Sequence, residues 1–450
     1  MRIKGSLAKG LLVALMLTVF PTVAISAQKI TPGSLCKVVK QEVVYLKKTY
    51  TCVKSGKKLK WDKGVPVQAP SPIPSPTSSP TPKPTSPTSQ LSNLSDYRNL
   101  SDCKLGSGNN QKDVTLSFQL NPYRLKPSKN IQGLIFPIDF PDLVSKSDPL
   151  KDFAYVTAGV STYYKELSED RVNIIWTINP KFTRFNGEVS QLKLAGNDMS
   201  GYGDFAKKAF ELANATMDLS RYDFIVYAPP LSTKREQIAM GPAFVALSEG
   251  QINATMLDGQ SYEASFPWTT AHEIGHLMGL PDLYSYAVEE QQTLGPSAQF
   301  KYMGVYDLMN WTSELTAWSR WLIGFVIDDQ MRCLPDSSTT TLLTPVEIAG
   351  GVKGAVIPLS KTEAIVLESR RIRRFDTKLT SKSEGVLIYK IDTKILSGDG
   401  PMRVIPRLGW QDGLFRDAPL KLNDKLQTNG YQIKIIESGE FGDVVEVLKL

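Results

Sequence analysis

Histidine is the scarcest reactive residue in this 450-residue chain: there are two, against 52 Lys+Arg and 45 Asp+Glu. A His-dependent site is therefore single, and no site can draw on three imidazoles. Cysteine is nearly as rare, with four copies and no CxxC spacing, which excludes a zinc ribbon and a dithiol redox motif. Beyond the first 27 residues no apolar run is long enough to cross a bilayer, which excludes a polytopic membrane protein. Acidic residues are almost missing from 28–66, where ten Lys face only Glu42 and Asp62. That stretch stands near +8, the first 27 residues add +3, and the rest of the +7 chain nets −4. A slightly acidic bulk argues against a nucleic-acid partner. The composition, 42% hydrophobic and 22% charged, excludes a wholly disordered chain.

What is present divides the chain into stretches of different character. In residues 1–27, Arg2, Lys4 and Lys9 precede an apolar run from Leu11 to Ile25, closed by Ser26 and Ala27. This is the pattern of an export signal. The run is short and Pro21 interrupts it, so a lasting membrane anchor is the lesser alternative. The expectation is a secreted, extracellular protein, open to cell-surface association, with no transmembrane span after signal removal. An even cysteine count suits that oxidising compartment, and the simplest pairing joins Cys36 to Cys52 and Cys103 to Cys333.

Residues 28–65 alternate in the manner of short strands, through Val43–Leu46, Tyr50–Val53, a turn at Ser55–Gly56, then Leu59 and Trp61. The expectation is a small disulfide-stapled β module. Its lysine-rich face either attaches to an anionic polymer such as a cell wall, or is the solvated surface of a spacer. Residues 66–90 hold nine Pro amid Ser and Thr. Such a linker favours polyproline II and can hold two modules roughly 70 Å apart.

Both histidines fall in one segment, Thr270 to Asp282. His272 and His276 are one helical turn apart, so their imidazoles share a face and can reach one ion. Pro267 suits the first helical turn and Gly279 its end. A sharp turn at Gly279 lets Asp282 return as a third ligand, leaving zinc a fourth position for water. Glu273, on the same helix, is placed to serve as general base. The candidate metal ligands are therefore His272, His276 and Asp282, and the candidate catalytic residue is Glu273. Calcium is a second candidate ion, although no EF-hand-like spacing occurs.

The segment His272–Tyr284 resembles the extended zinc motif HExxHxxGxxD of the immune inhibitor A family of secreted bacterial metalloproteases, which are metzincin-like. Further segments are similar to that family. They are Phe136–Asp142 for the strand opening the catalytic domain, Tyr163–Ser168 for the following helix end, and Tyr222–Tyr227 for the strand before the zinc helix. Asp307–Asn310 resembles its Met-turn, Ala317–Phe325 its next helix, and 364–370 and 385–392 its later paired strands. The resemblance implies that His272, His276 and Asp282 hold zinc, that Glu273 is the base, and that Met309 packs beneath the metal. It also shows departures: Lys390 stands where the family often has His, and Trp311 stands where metzincins commonly have Tyr. The oxyanion donor is thus unassigned; Tyr284 and Tyr306 are candidates, though a buried, packing tyrosine is the more natural reading of either.

The expected fold class is α+β. Residues 91–334 form a zincin- or metzincin-like α/β catalytic domain in which a mixed sheet backs the zinc helix. Strands are expected at 133–140, 174–178 and 224–226, and a helix at 202–214. Residues 335–450 form a β-rich, sandwich-like domain, with strand-like runs at 355–357, 365–367, 386–388, 433–435 and 444–448. Residues 91–129 read as part of the catalytic fold or as a removable prosegment. The leading functional expectation is a secreted zinc endopeptidase acting on protein or peptide substrates. The competing ones are a non-catalytic surface adhesion protein with a structural zinc, and a zinc hydrolase acting on a non-peptide cell-wall bond.

Overall fold

The computed structural model describes residues 31–66 and 86–450, apart from 37–38, 40–41, 46–47, 57, 196–197, 243–244, 248–249, 258, 260–266, 312 and 377. The expected export signal at 1–27 and most of the expected linker at 66–90 lie outside the described residues. The described chain divides into two compact units, one within Met16–Lys83 and one spanning Pro84–Leu450. Among the described residues no helix is long and apolar enough to cross a membrane.

The first unit is an antiparallel meander of Glu42–Tyr45, Lys48–Ser55 and Lys58–Trp61, with Val65–Pro66 added beside Lys48 and Thr49. So few residues bury little core; Tyr50 and Cys52 supply much of it. The Cys36–Cys52 disulfide closes this unit and contributes about 3 kcal/mol for a loop of that size. Gly64, at φ +66°, is needed where it stands, because a Cβ there would meet the Tyr50 ring at 2.7 Å.

The second unit is mixed α/β with more strand than helix. Its seven-stranded sheet is centred on Ile131–Asp139, flanked in parallel by Ile174–Ile178 and Phe224–Ala228, with Gly250–Met256 beyond. Short antiparallel edges at Gly241–Pro242 and Val245–Leu247 make it mixed. A parallel strand between two neighbours is covered on both faces, which is why Ile131–Asp139 is nearly continuously apolar and buried. One face, through Ile131, Ile135, Phe224 and Val226, packs on the helices Ala154–Leu167 and Trp268–Leu277. The other, through Leu134, Phe136, Ile225 and Tyr227, packs on Tyr202–Asn214.

After Met331 the chain builds two packed sheets. One orders Met331–Cys333, Gly354–Pro358, Glu363–Arg370, Gly385–Asp392 and Met402–Val404; the other orders Thr339–Leu343, Gly442–Lys449, Tyr431–Gly439 and Lys425–Thr428. Their inner faces meet through Ile357, Ile365, Ile388, Ile433 and Val445. The outer face of the first sheet, through Val356, Val366, Leu387 and Tyr389, joins the same core as Trp318 and the motif helix. The sandwich and the α/β layers thus share one hydrophobic core. Residues 91–129 are woven into it. Cys103 is bonded to Cys333, Leu105, Leu116 and Leu125 are buried, and Trp318 Nε1 donates to the Leu116 carbonyl at 3.1 Å.

A buried ionic cluster lies in the same region. Arg370, fully buried, pairs with Glu347 at 3.0 Å, Glu368 at 3.1 Å and Asp376 at 2.5 Å. Arg320 and Arg374 share Glu314, at 2.5 and 2.8 Å. Glu368 also accepts from the Ala317 N–H and from Tyr389 Oη, tying the helix Ala317–Leu322 to the sandwich.

Candidate metal centre

The motif helix runs from Trp268 to Leu277, directly after Pro267. Its face toward the sheet buries Ala271, Ile274 and Leu277, which leaves His272 and His276 on the adjoining face. The helix is placed from several sides. Tyr164 Oη donates to the Ala271 carbonyl at 2.6 Å. At the C-terminal end, Leu125 N–H satisfies the Leu277 carbonyl at 2.8 Å and Thr115 N–H the Gly279 carbonyl at 2.9 Å. Gly279 has φ +102°, the left-handed conformation that ends the helix and turns the chain back. The residues 282–286 therefore return alongside the imidazoles.

His272, His276 and Asp282 come together, with one ligand atom from each lying within 4.8 Å of the others. His272 Nδ1 faces the Leu308 carbonyl at 3.0 Å and His276 Nδ1 faces the Leu280 carbonyl at 2.7 Å. A carbonyl only accepts, so both Nδ1 atoms carry hydrogen and donate. Both Nε2 atoms are then turned to the site, and Asp282 Oδ1 lies 3.0 Å from one and 3.3 Å from the other. Ligands at about 2.0–2.1 Å from a tetrahedral ion stand roughly 3.3–3.4 Å apart, and the two separations from Asp282 Oδ1 are near that value. The donor set, two imidazoles and a carboxylate, also suits zinc chemistry, and each imidazole has the carbonyl partner that metal-binding His normally has.

The electrostatics agree with a site built for a cation. Burial would raise the Asp282 carboxyl, but the neighbouring imidazoles hold it well below its ordinary value. Burial would lower His276, but Asp282 lifts it to about 9. A proton on Nε2 and a metal ion compete for one lone pair. Glu273 is buried, and its Oε2 has no hydrogen-bond partner among the described residues. Desolvation raises its carboxyl above the ordinary value, against the pull of the two imidazoles.

Met309 packs against the motif helix at Gly275, where a Cβ would meet its sulfur at 2.7 Å. The turn that carries it is rigid. Asp307, at φ +70°, accepts from the Met309 N–H with one carboxylate oxygen and from Thr316 and Ser319 with the other. The Met309 carbonyl in turn accepts from Leu283 N–H at 2.9 Å.

The two tyrosines raised as oxyanion donors separate. The Tyr284 ring lies 6.1 Å from that of His272. Tyr306 is fully buried, with its hydroxyl on the Phe415 carbonyl and Arg370 over its ring, so it belongs to the ionic cluster and not to the metal centre. Lys390 pairs with Glu363 on the sandwich. Two contributors were not foreseen. Tyr286 donates a short hydrogen bond to Asp282 Oδ2, and Ser397 Oγ accepts from the Asp282 N–H at 2.9 Å. Nearness to the motif was the one available signal for Tyr286; a separation of 115 residues hid Ser397. No family model matches this chain, and no curated protein matches it.

Proposed function

We propose that this protein is a secreted zinc-dependent endopeptidase with a metzincin-like centre, of the kind its motif resembles. The observation that carries the reading is the buried, unpartnered Glu273 Oε2 beside His272, His276 and Asp282. A buried carboxylate oxygen left without a hydrogen bond is costly, and such groups cluster where chemistry uses them. His272 and His276 through Nε2, and Asp282 through Oδ1, would hold the ion. Zinc, when bound, supplies Lewis-acid polarisation of the scissile carbonyl and a lowered pKa for water. Glu273 takes the proton at Oε2 and returns it to the leaving amine, a transfer favoured by the upward shift of its carboxyl. The Leu308 and Leu280 carbonyls keep both imidazoles in one tautomer.

The adhesion alternative needs a structural zinc, and structural sites ordinarily have four protein ligands. Three stand together among the described residues. The two disulfides support an oxidising, extracellular setting. Lys48, Lys54, Lys58 and Lys63 are exposed on the small unit, which supports retention on an anionic wall polymer that salt releases. Casein or gelatin hydrolysis, abolished by a chelator and restored by zinc, tests the enzyme reading. Zinc-loaded protein that cleaves no protein substrate overturns it in favour of binding alone.

A further inference from the structure

The third donor of the cluster is held from far along the chain. Asp282 N–H donates to Ser397 Oγ, and Gly398 N–H donates to the Asp282 carbonyl at 3.1 Å. Tyr286 N–H donates to the Gly398 carbonyl at 3.0 Å, and the Tyr286 hydroxyl lies 3.4 Å from Ser397 Oγ while donating to Asp282 Oδ2. Ser397 and Gly398 belong to the connection between Gly385–Asp392 and Met402–Val404 of the sandwich. Gly398 has φ +80°, and a Cβ there would stand 2.1 Å from the Tyr286 ring. Only glycine lets the ring lie against that backbone. The connection is itself pinned: Ser397 N–H donates to Gln111 Oε1 at 3.1 Å, and Asn109 Nδ2 donates to the Thr393 and Ile395 carbonyls at 2.9 and 3.2 Å.

The connection thus holds the Asp282 backbone at both its N–H and its carbonyl, while the two carboxylate oxygens are divided between tasks. Oδ1 faces both imidazoles and Oδ2 is occupied by Tyr286. Tyr286 remains 50% exposed, so burial of its ring does not account for its position. We propose that Tyr286 and Ser397 are positioning residues for the third metal ligand, holding Asp282 with Oδ1 alone turned to the ion, and that the sandwich thereby completes the metal centre. The inference rests on the metal-centre reading above. Without the Tyr286 bond the carboxylate loses the partner that fixes its rotation, and without Ser397 the backbone beneath it loses an anchor; ordering either then opposes zinc binding.

The test is zinc affinity of the full chain, read with Zn²⁺ alone by competition against a chromophoric chelator, beside thermal melting of the zinc-free protein. Tyr286→Phe and Ser397→Ala are each expected to weaken zinc about 10- to 100-fold with an unchanged zinc-free melting temperature. Ser397→Thr, which keeps the hydroxyl, is expected to retain affinity. Wild-type affinity in both of the first two variants overturns the proposal while leaving the metal reading intact. So does a loss of affinity that tracks a fall in the zinc-free melting temperature, since it reports general destabilisation. If His276→Ala binds zinc as wild type does, the metal reading fails and this inference with it.

Discussion

The Pro84–Leu450 unit buries two polar clusters, and they meet their charges in different ways. Around Arg370 the acids Glu347, Glu368 and Asp376 close on one guanidinium, while Glu314 takes both Arg320 and Arg374. Around Asp282 one carboxylate faces two imidazoles, and the neighbouring Glu273 keeps an oxygen without a partner. The first cluster sets each charge beside opposite ones, although Arg370 Nε and Glu347 Oε1, 3.0 Å apart, make no directed hydrogen bond, and it joins the motif side of the core to the sandwich. The second is left open in one place, with Tyr286 half in solvent above it. The difference lies in the groups gathered. A guanidinium among carboxylates is an ion-pair network that specifies packing, whereas two imidazoles and a carboxylate turn lone pairs toward one point, which suits a ligand.

This contrast can be broken in four ways. Glu273→Ala should leave zinc content intact and lower peptide hydrolysis by about 10²–10⁴-fold, the usual worth of a general base. Retained hydrolysis in that variant would remove Glu273 from the chemistry. Arg370→Met should cost about 3–5 kcal/mol in denaturant unfolding, because it strands several buried carboxylates. A loss below about 1 kcal/mol would show the ionic cluster to be no tighter than a surface pair.

The third concerns pH. His276 is raised to about 9 by Asp282, so its stabilisation is complete below the unfolded value and lost as pH climbs through about 9. Asp282 is depressed, so its share is present above the ordinary carboxylate range and lost only in strong acid. The zinc-free chain should accordingly lose melting temperature between about pH 6.5 and 9. Zinc affinity should rise over the same window, about tenfold per unit as the proton on His276 is displaced, then level off. A pH-independent affinity would contradict the competition for Nε2. The smallest effect belongs to Arg373→Ala, which deletes an exposed pair with Glu440 close in sequence to the buried cluster. It should change unfolding by no more than about 1 kcal/mol, isolating burial as the cause of the Arg370 effect.

Much of the fold was legible because it follows local rules. The strand expected at 133–140 lies at Ile131–Asp139, that at 174–178 lies at Ile174–Ile178, and the helix at 202–214 lies at Tyr202–Asn214. The expected disulfide pairs are both present. The strands Thr339–Leu343, Met402–Val404 and Lys425–Thr428 were not anticipated, being short and identified mainly by the partners they bond. Residues 91–129 were undecided because they contain little regular structure; their place comes from the Cys103 bond and from donors to Leu277 and Gly279. Tyr306 takes the packing role that was its more natural reading. It is near the Met309 turn in sequence, yet its hydroxyl turns to Phe415.

The sequence by itself determined that His272 and His276 act on the same side of one helix, since residues four apart are stacked by the helical repeat. It also indicated where that helix ends, because Gly279, just past the second histidine, can take the left-handed turn without strain. Only the tertiary structure decided that Asp282 presents one oxygen to the imidazoles and the other to Tyr286, with Ser397 holding its backbone. The physical reason is range. Helical periodicity is a property of neighbouring residues, whereas the place of a carboxylate is set by whichever groups the packed chain brings to it: Tyr286 and the imidazoles on its oxygens, and Ser397 and Gly398 of the sandwich on its backbone.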